Sequence, residues 1–207
     1  MEHYINREMY LQKLINRRNN GEVKVITGSR RCGKSWLLSK IYTNWLISQG
    51  VDKENIILIT FDTDDLEETR DLTDKDNLKA YLREKITSDS EEYYVLLDEI
   101  QEVDGFEKIV NGLNKKDNVD VYVTGSNSRF LSSDINTLFR GRGDEVRVYP
   151  LSFKQSERAN QCSLERILHF WRYAWTHATQ NPRAENLLPP TTLDQNIYRR
   201  CGGTPKG

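Results

Sequence analysis

The residues whose types and spacing best suit chemistry lie between Gly28 and Ser35. They fill every fixed position of the phosphate-loop pattern G-x-x-x-x-G-K-[ST]. Glycines allow backbone N–H groups to turn inward around phosphate oxygens, and the N-terminus of a following helix adds partial positive charge there. The pattern therefore predicts a nucleotide site in which Lys34 reaches the β- and γ-phosphates and Ser35 binds Mg²⁺.

We predict that the nucleotide contacts the whole loop and the residue after it. These residues are Gly28, Ser29, Arg30, Arg31, Cys32, Gly33, Lys34, Ser35 and Trp36. Cys32 allows two interpretations. A helix N-terminus can lower a thiol pKa and make the thiol reactive, or a small side chain can simply fit the loop, which is the favoured interpretation. The other cysteines are Cys162 and Cys201, and three cysteines whose spacing fits no metal site indicate reduced thiols.

Asp98 and Glu99 form a second candidate group, directly after the apolar run at residues 94–97. Ligands of a parallel sheet bind at the carboxyl ends of its strands, so we expect both side chains to lie beside the phosphate loop. Asp98 is expected to hold the hydration shell of Mg²⁺, and Glu99 to polarise a water for in-line attack on the γ-phosphate. This pair favours hydrolysis over phosphorylation of a bound acceptor, although two carboxylates alone are also typical of an acidic turn.

This chemistry requires strands and helices that bring the residues to one edge, and the hydrophobic pattern predicts them. Short apolar, β-branched runs indicate strands near residues 23–26, 55–61, 93–97, 119–124 and 145–149. Apolar periodicity and turn signals indicate helices near residues 9–19, 34–48, 78–86 and 106–113. Alternating strands and helices are typical of βαβ units, so we predict an α/β fold with a mainly parallel five-stranded sheet.

Composition and charge narrow the classes of protein. The chain has 207 residues, of which 37% are hydrophobic and 29% charged, and its formal net charge is −1. This charge gives no global basic field for nucleic acid. No stretch approaches eighteen apolar residues, and the N-terminus lacks an apolar signal core. We therefore expect no membrane segment, and the reduced thiols indicate a cytoplasmic protein.

Four short motifs, taken in order, resemble those of prokaryotic AAA-type P-loop ATPases. They are G-x-R-R-x-G-K-S at residues 28–35, L-D-E-I-Q at 97–101, T-G-S-N at 124–127, and G-R at 141–142 followed by P-L-S-F at 150–153. Arg7, Tyr10 and Leu14 also resemble the opening helix of that family. The resemblance covers residues 1–154 and implies one ATPase domain with the three-layer αβα fold of P-loop NTPases.

The resemblance also implies two catalytic residues beyond Glu99. Asn127, with Ser126 as the alternative, resembles the polar sensor 1 residue that orients the attacking water. Arg142 resembles an arginine finger, which would act across a subunit interface of a homo-oligomer, although a solvated or salt-bridged arginine is equally compatible. The implied ligands are ATP and Mg²⁺, and the family setting suggests coupling to a protein partner or DNA. Two alternatives remain open: a nucleotide-binding switch with little turnover, and an inactive truncated gene product.

Residues 155–207 depart from the family pattern. All five prolines lie at or beyond Pro150, apolar periodicity largely disappears, and the family's aromatic-rich continuation does not follow. Plausible codons for residues 164–175 and 195–205, translated one nucleotide later, permit strings that resemble this continuation. We therefore hypothesise that residues 155–207 are a frameshift product and expect them to be poorly ordered. The alternative is a genuine divergent tail.

Overall fold

A parallel β-sheet forms the centre of the protein. The computed structural model describes residues 7–61, 71–125 and 137–150. The strands in these residues are β1 (Val23–Thr27), β2 (Ile56–Thr60), β3 (Tyr93–Asp98), β4 (Val119–Gly125) and β5 (Gly143–Arg147). They pair in the order β2-β3-β4-β1-β5, and every pairing is parallel. The predicted α/β fold with a five-stranded sheet is confirmed.

Four helices cover the sheet in the described part of the chain. They are α1 (Glu8–Ile15), α2 (the consecutive segments Lys34–Trp36, Leu37–Tyr42 and Thr43–Ser48), α3 (Lys75–Lys85) and α4 (Phe106–Leu113). The middle segment of α2 is π-helical. Short 3₁₀ turns lie at Lys53–Asn55, Asp71–Thr73 and Ile100–Glu102. Each predicted helix is therefore present: α2 and α4 have the predicted bounds, whereas α1 and α3 differ from the prediction at their ends.

Local hydrogen bonds explain where two helices differ from the prediction. α3 begins before residue 78 because the Asp74 carboxylate caps it, accepting hydrogen bonds from the N–H groups of Asp76 and Asn77 at 2.9 and 3.1 Å. α1 ends at Ile15 because the next N–H groups turn to nearer carbonyls. The Arg17 N–H, for example, donates to the Leu14 carbonyl at 3.2 Å.

Strand residues alternate between two apolar cores. In β3, Val95 and Leu97 pack in the core that α3 and α4 cover, whereas Tyr94 and Leu96 pack in the core that α1 and α2 cover. Helices on both faces of a parallel sheet form the three-layer αβα architecture that the resemblance implies. Among the residues described, no helix is both long enough and apolar enough to span a bilayer.

The register of the sheet brings three strand ends to the same edge. Thr27, the last residue of β1, pairs with Gly125 at the end of β4, and Leu97 of β3 pairs with Val123 of β4. Because neighbouring parallel strands end together, the segments that follow β1 and β3 lie side by side at their carboxyl ends.

Candidate active site

The phosphate loop connects β1 to α2, and two glycines give it its shape. Gly33 has a φ of 93° and immediately precedes the first residue of α2. Gly28 has a φ of 150°, and a Cβ there would lie 2.3 Å from the Val148 carbonyl oxygen and 2.8 Å from the Cys32 sulfur. Only glycine fits such a position, so the loop packs directly against the residues that follow β5.

Lys34 is a buried cation held inside the loop. Its side chain is 3% exposed, and its Nζ donates to the carbonyls of Gly28 and Ser29 at 3.3 and 3.4 Å. The same Nζ lies 3.4 Å from Oε1 of Glu99. The structure therefore brings the predicted phosphate-binding cation and the predicted catalytic carboxylate into contact.

Asp98 and Ser35, the two predicted Mg²⁺ ligands, also lie together. Asp98 is 1% exposed, and burial raises the pKa of its carboxyl above the ordinary value, while hydrogen bonds with Thr124 and Ser35 act in the opposite direction. A carboxylate and a hydroxyl are hard oxygen ligands of the kind that Mg²⁺ prefers. The donor chemistry of the two side chains therefore fits that ion.

Glu99 has an unusual backbone conformation for a non-glycine residue, with a φ of 54°. Its N–H donates to Oγ1 of Thr124 at 2.9 Å, and its Oε2 accepts a hydrogen bond from Nε2 of Gln101 at 2.6 Å. Backbone strain of this kind persists only where surrounding contacts impose it, and it concentrates at functional sites. Thr124, Gln101 and Lys34 supply such contacts here.

Thr124 is a residue of this site that sequence reasoning did not single out. Its side chain is fully buried, and its hydroxyl donates to Oδ1 of Asp98 at 2.5 Å while accepting the hydrogen bond from Glu99. One hydroxyl thus joins the end of β4 to both carboxylate residues after β3. The T-G-S-N motif contained the residue, but spacing alone gave no reason to expect this bridge.

Replacing Thr124 with valine is expected to destabilise the protein by roughly 1–3 kcal/mol, because the buried Glu99 N–H loses its acceptor while the shape of the side chain is retained. Denaturant unfolding monitored by circular dichroism measures the change. Thr124→Ser is the matched control, since it keeps the hydroxyl. Equal stability of the valine variant and the wild type would show that this bridge contributes nothing.

The remaining loop residues differ in exposure. Arg30, Arg31 and Trp36 are exposed, and the Ser29 hydroxyl is buried without a hydrogen-bond partner among the described residues. Cys32 is 3% exposed, and burial raises the pKa of its thiol. Burial outweighs the opposing charges of Lys34 and Arg7, which favours the interpretation of Cys32 as a small side chain that fits the loop.

Of the other predicted catalytic residues, Arg142 is described by the structure and does not join this cluster. Asn127 and its alternative Ser126 lie outside the described residues. Arg142 is exposed and precedes β5, where its carbonyl accepts a hydrogen bond from the N–H of Val23 at 2.8 Å. Val23 begins β1, whereas the phosphate loop follows its end, so Arg142 lies at the opposite edge of the sheet from its own loop.

The fold and this site define a class of protein. A parallel sheet with a phosphate loop after β1 and two carboxylates after β3, covered by helices on both faces, is a P-loop NTPase domain. Residues 20–157 match the family model described as "AAA domain". The chain belongs to this family of AAA-type P-loop ATPases.

Two curated relatives extend the match. An uncharacterized protein from Haemophilus influenzae is 44% identical over 151 residues, which is 73% of this chain and 37% of that protein. An uncharacterized protein from Methanocaldococcus jannaschii is 33% identical over 156 residues, which is 73% of this chain and 30% of that protein. The match therefore spans only about a third of the length of each relative.

Solved structures overlap more loosely. RIF2 of Saccharomyces cerevisiae gives a TM-score of 0.49 at 14% identity, covering 76% of this chain and 62% of that chain. ORC of Drosophila bound to DNA gives 0.46 at 10% identity, covering 72% and 94%. PCH-2 of C. elegans gives 0.44 at 17% identity, covering 69% and 39%. Similarity at this level carries no conclusion about activity or partners.

Proposed function

We propose that the chain binds ATP with Mg²⁺ and hydrolyses it. The observation that carries this proposal is the contact between Lys34 and Glu99, 3.4 Å apart, beside the hydrogen-bonded pair of Ser35 and Asp98. A phosphate-binding cation, two hard oxygen ligands and a base then lie in one cluster. These are the parts that phosphoryl transfer to water requires.

The phosphate loop supplies the binding part of this function. Its backbone N–H groups and the helix N-terminus favour phosphate oxygens, and Lys34 neutralises negative charge at the β- and γ-phosphates. The buried Ser29 hydroxyl offers a further polar group at the loop. Ser35 and Asp98 would hold the Mg²⁺, which when bound supplies electrostatic stabilisation of the phosphate charge.

Glu99 supplies the base. Its carboxylate accepts the proton of the attacking water, and the hydrogen bond from Gln101 fixes one oxygen so that the other faces Lys34. When phosphate oxygens engage Lys34, the Lys34–Glu99 attraction weakens because the cation acquires a second anionic partner. The carboxylate then has more freedom to take a proton.

A nucleotide-binding switch with little turnover is the second candidate. The engagement of Glu99 by both Lys34 and Gln101 favours it, since a carboxylate that stays so engaged is a poor base. Phosphate release by the purified full chain, measured with ATP binding on the same sample, tests both candidates. Many turnovers per chain support the ATPase, and binding without release supports the switch.

Arg142 is proposed to act, if it acts in catalysis, at the site of a neighbouring subunit, because it lies far from its own loop. Activity per chain is then expected to rise with protein concentration, and Arg142→Ala is expected to remove that rise. Phosphate release over a concentration series measures it, with Arg140→Ala as an exposed control. If activity per chain did not change with protein concentration and Arg142→Ala were fully active, Arg142 would not be an arginine finger.

We also propose a location for the protein and a process to which its ATP hydrolysis is coupled. The family resemblance supports coupling of hydrolysis to a protein partner or to DNA. The cysteines, whose number and spacing indicate reduced thiols, support a cytoplasmic location. Residues 151–207 lie outside the described residues, so the frameshift origin of residues 155–207, and with it the alternative of an inactive gene product, stays a prediction. The nucleotide sequence around codons 150–160 bears on it most directly.

A further inference from the structure

Arg7 immediately precedes α1, and its side chain contacts the backbone of the phosphate loop. Its side chain is buried, with the residue 5% exposed, and its Nη1 donates to the carbonyl of Cys32 in the loop at 2.6 Å. A Cβ on Gly33 would lie 3.3 Å from the same nitrogen. The guanidinium therefore contacts the loop at the residues that immediately precede Lys34.

The same guanidinium holds a second segment. Its Nη2 donates to the carbonyl of Tyr149, two residues beyond the end of β5, and its Cζ lies 4.6 Å from the ring centroid of Tyr10. The Tyr10 hydroxyl in turn accepts a hydrogen bond from the Tyr149 N–H at 3.0 Å. Arg7 and Tyr10 together satisfy both backbone groups of Tyr149.

The loop and this second segment also touch directly. The Val148 N–H donates to the carbonyl of Thr27 at 2.7 Å, and the Val148 carbonyl fills the space where a Gly28 Cβ would lie. A shift of the phosphate loop must therefore displace residues 148–149 or break the bonds of Arg7. Interfaces packed this closely move as units rather than deforming continuously.

The charge of Arg7 favours a nearby anion. Its hydrogen-bond acceptors at Cys32 and Tyr149 are neutral carbonyls, and its Nε is buried without an acceptor. Arg7 forms no ion pair with a carboxylate among residues 7–61, 71–125 and 137–150. A buried cation is costly unless an opposite charge compensates it. Phosphates bound in the adjacent loop would supply that charge.

We propose that Arg7 is a positioning residue for the phosphate loop, which couples nucleotide binding to the chain segment that leaves β5 at Tyr149. The inference rests on the proposed ATP binding. Arg7 acts through the loop backbone and makes no contact with the reacting atoms. Nucleotide bound in the loop strengthens the hydrogen bonds of Arg7 to the carbonyls of Cys32 and Tyr149. These hydrogen bonds in turn hold the loop in the shape that binds phosphate.

Arg7→Lys tests this role, because it keeps a positive charge but loses the planar fork that holds two carbonyls at once. ATP titrated calorimetrically into the variant is expected to bind about tenfold more weakly than to wild type. Arg17→Lys is the matched control. Arg17 also contacts β5, through Asp144 at 2.8 Å, but at the opposite end of the strand from the loop.

Hydrogen exchange distinguishes the positioning role of Arg7 from a purely structural role. In wild type, ATP is expected to slow exchange of the amides at residues 148–149 as well as in the loop. In Arg7→Lys at saturating ATP, slowing is expected to persist in the loop but to disappear at residues 148–149. A structural role alone would instead raise exchange equally with and without nucleotide.

The outcomes separate the two proposals. If wild type binds no ATP, the proposed function fails and this inference loses its basis. If wild type binds ATP but shows no slowing at residues 148–149, or if Arg7→Lys matches wild type in affinity and exchange, the positioning role alone is wrong. The wild-type exchange measurement decides this even if Arg7→Lys fails to fold.

Discussion

Lys34→Ala is expected to bind ATP roughly 10- to 100-fold more weakly than wild type, because it removes the buried cation of the phosphate loop. The side chain is 3% exposed and already held by the Gly28 and Ser29 carbonyls, so little ordering is needed when phosphate arrives. Preorganised charge of this kind contributes more than a mobile surface lysine. Calorimetric titration with ATP and Mg²⁺ measures the loss.

The control for this prediction is Lys40→Ala. Lys40 lies on the same helix as Lys34 but is exposed, so its replacement changes net charge equally without altering the loop. Its ATP affinity is expected to match wild type. If Lys34→Ala also bound ATP as wild type does, the assignment of the phosphate loop would be wrong.

Glu99→Gln is expected to slow hydrolysis on the order of 100-fold or more while ATP binding is retained, because the amide keeps the shape of the side chain but cannot take a proton. The φ of 54° at this position strains glutamate and glutamine equally, so the substitution is not expected to change the backbone. Single-turnover phosphate release and ATP titration on the same preparations separate the two effects.

Glu102→Gln serves as the control for Glu99, since Glu102 is an exposed carboxylate in the adjacent 3₁₀ turn. It is expected to release phosphate at the wild-type rate. Wild-type turnover by Glu99→Gln would assign the base to another group. Loss of ATP binding in that variant would instead indicate that the contact with Lys34 matters for the loop itself.

The strands and the phosphate loop could be predicted from the sequence because their signals are local. The apolar run that forms β3 is buried throughout. Gly28 and Gly33 are fixed positions of the phosphate-loop motif, and both have a positive φ that favours glycine. The start of β5 could not be predicted in this way. Gly143 and Asp144 have weak strand propensity and join the sheet only because β1 offers a parallel partner.

The side-chain contacts that organise the site could not be predicted from the sequence. Thr124 joins Asp98 and Glu99 through one hydroxyl, and this depends on the pairing of β3 with β4. Arg7 reaches the loop only because α1 packs on the sheet face beside β5. Such contacts are set by strand order and packing, for which a single sequence carries no direct signal.

A single-turnover experiment determines whether this site hydrolyses ATP. Purified full chain in excess over ATP is mixed with Mg²⁺ or with a chelator, and ATP, ADP and phosphate are followed over time. We predict that bound ATP is converted completely to ADP and phosphate with Mg²⁺ and stays intact with the chelator. ATP that never binds, or that stays bound and intact with Mg²⁺, would show that this site does not hydrolyse ATP.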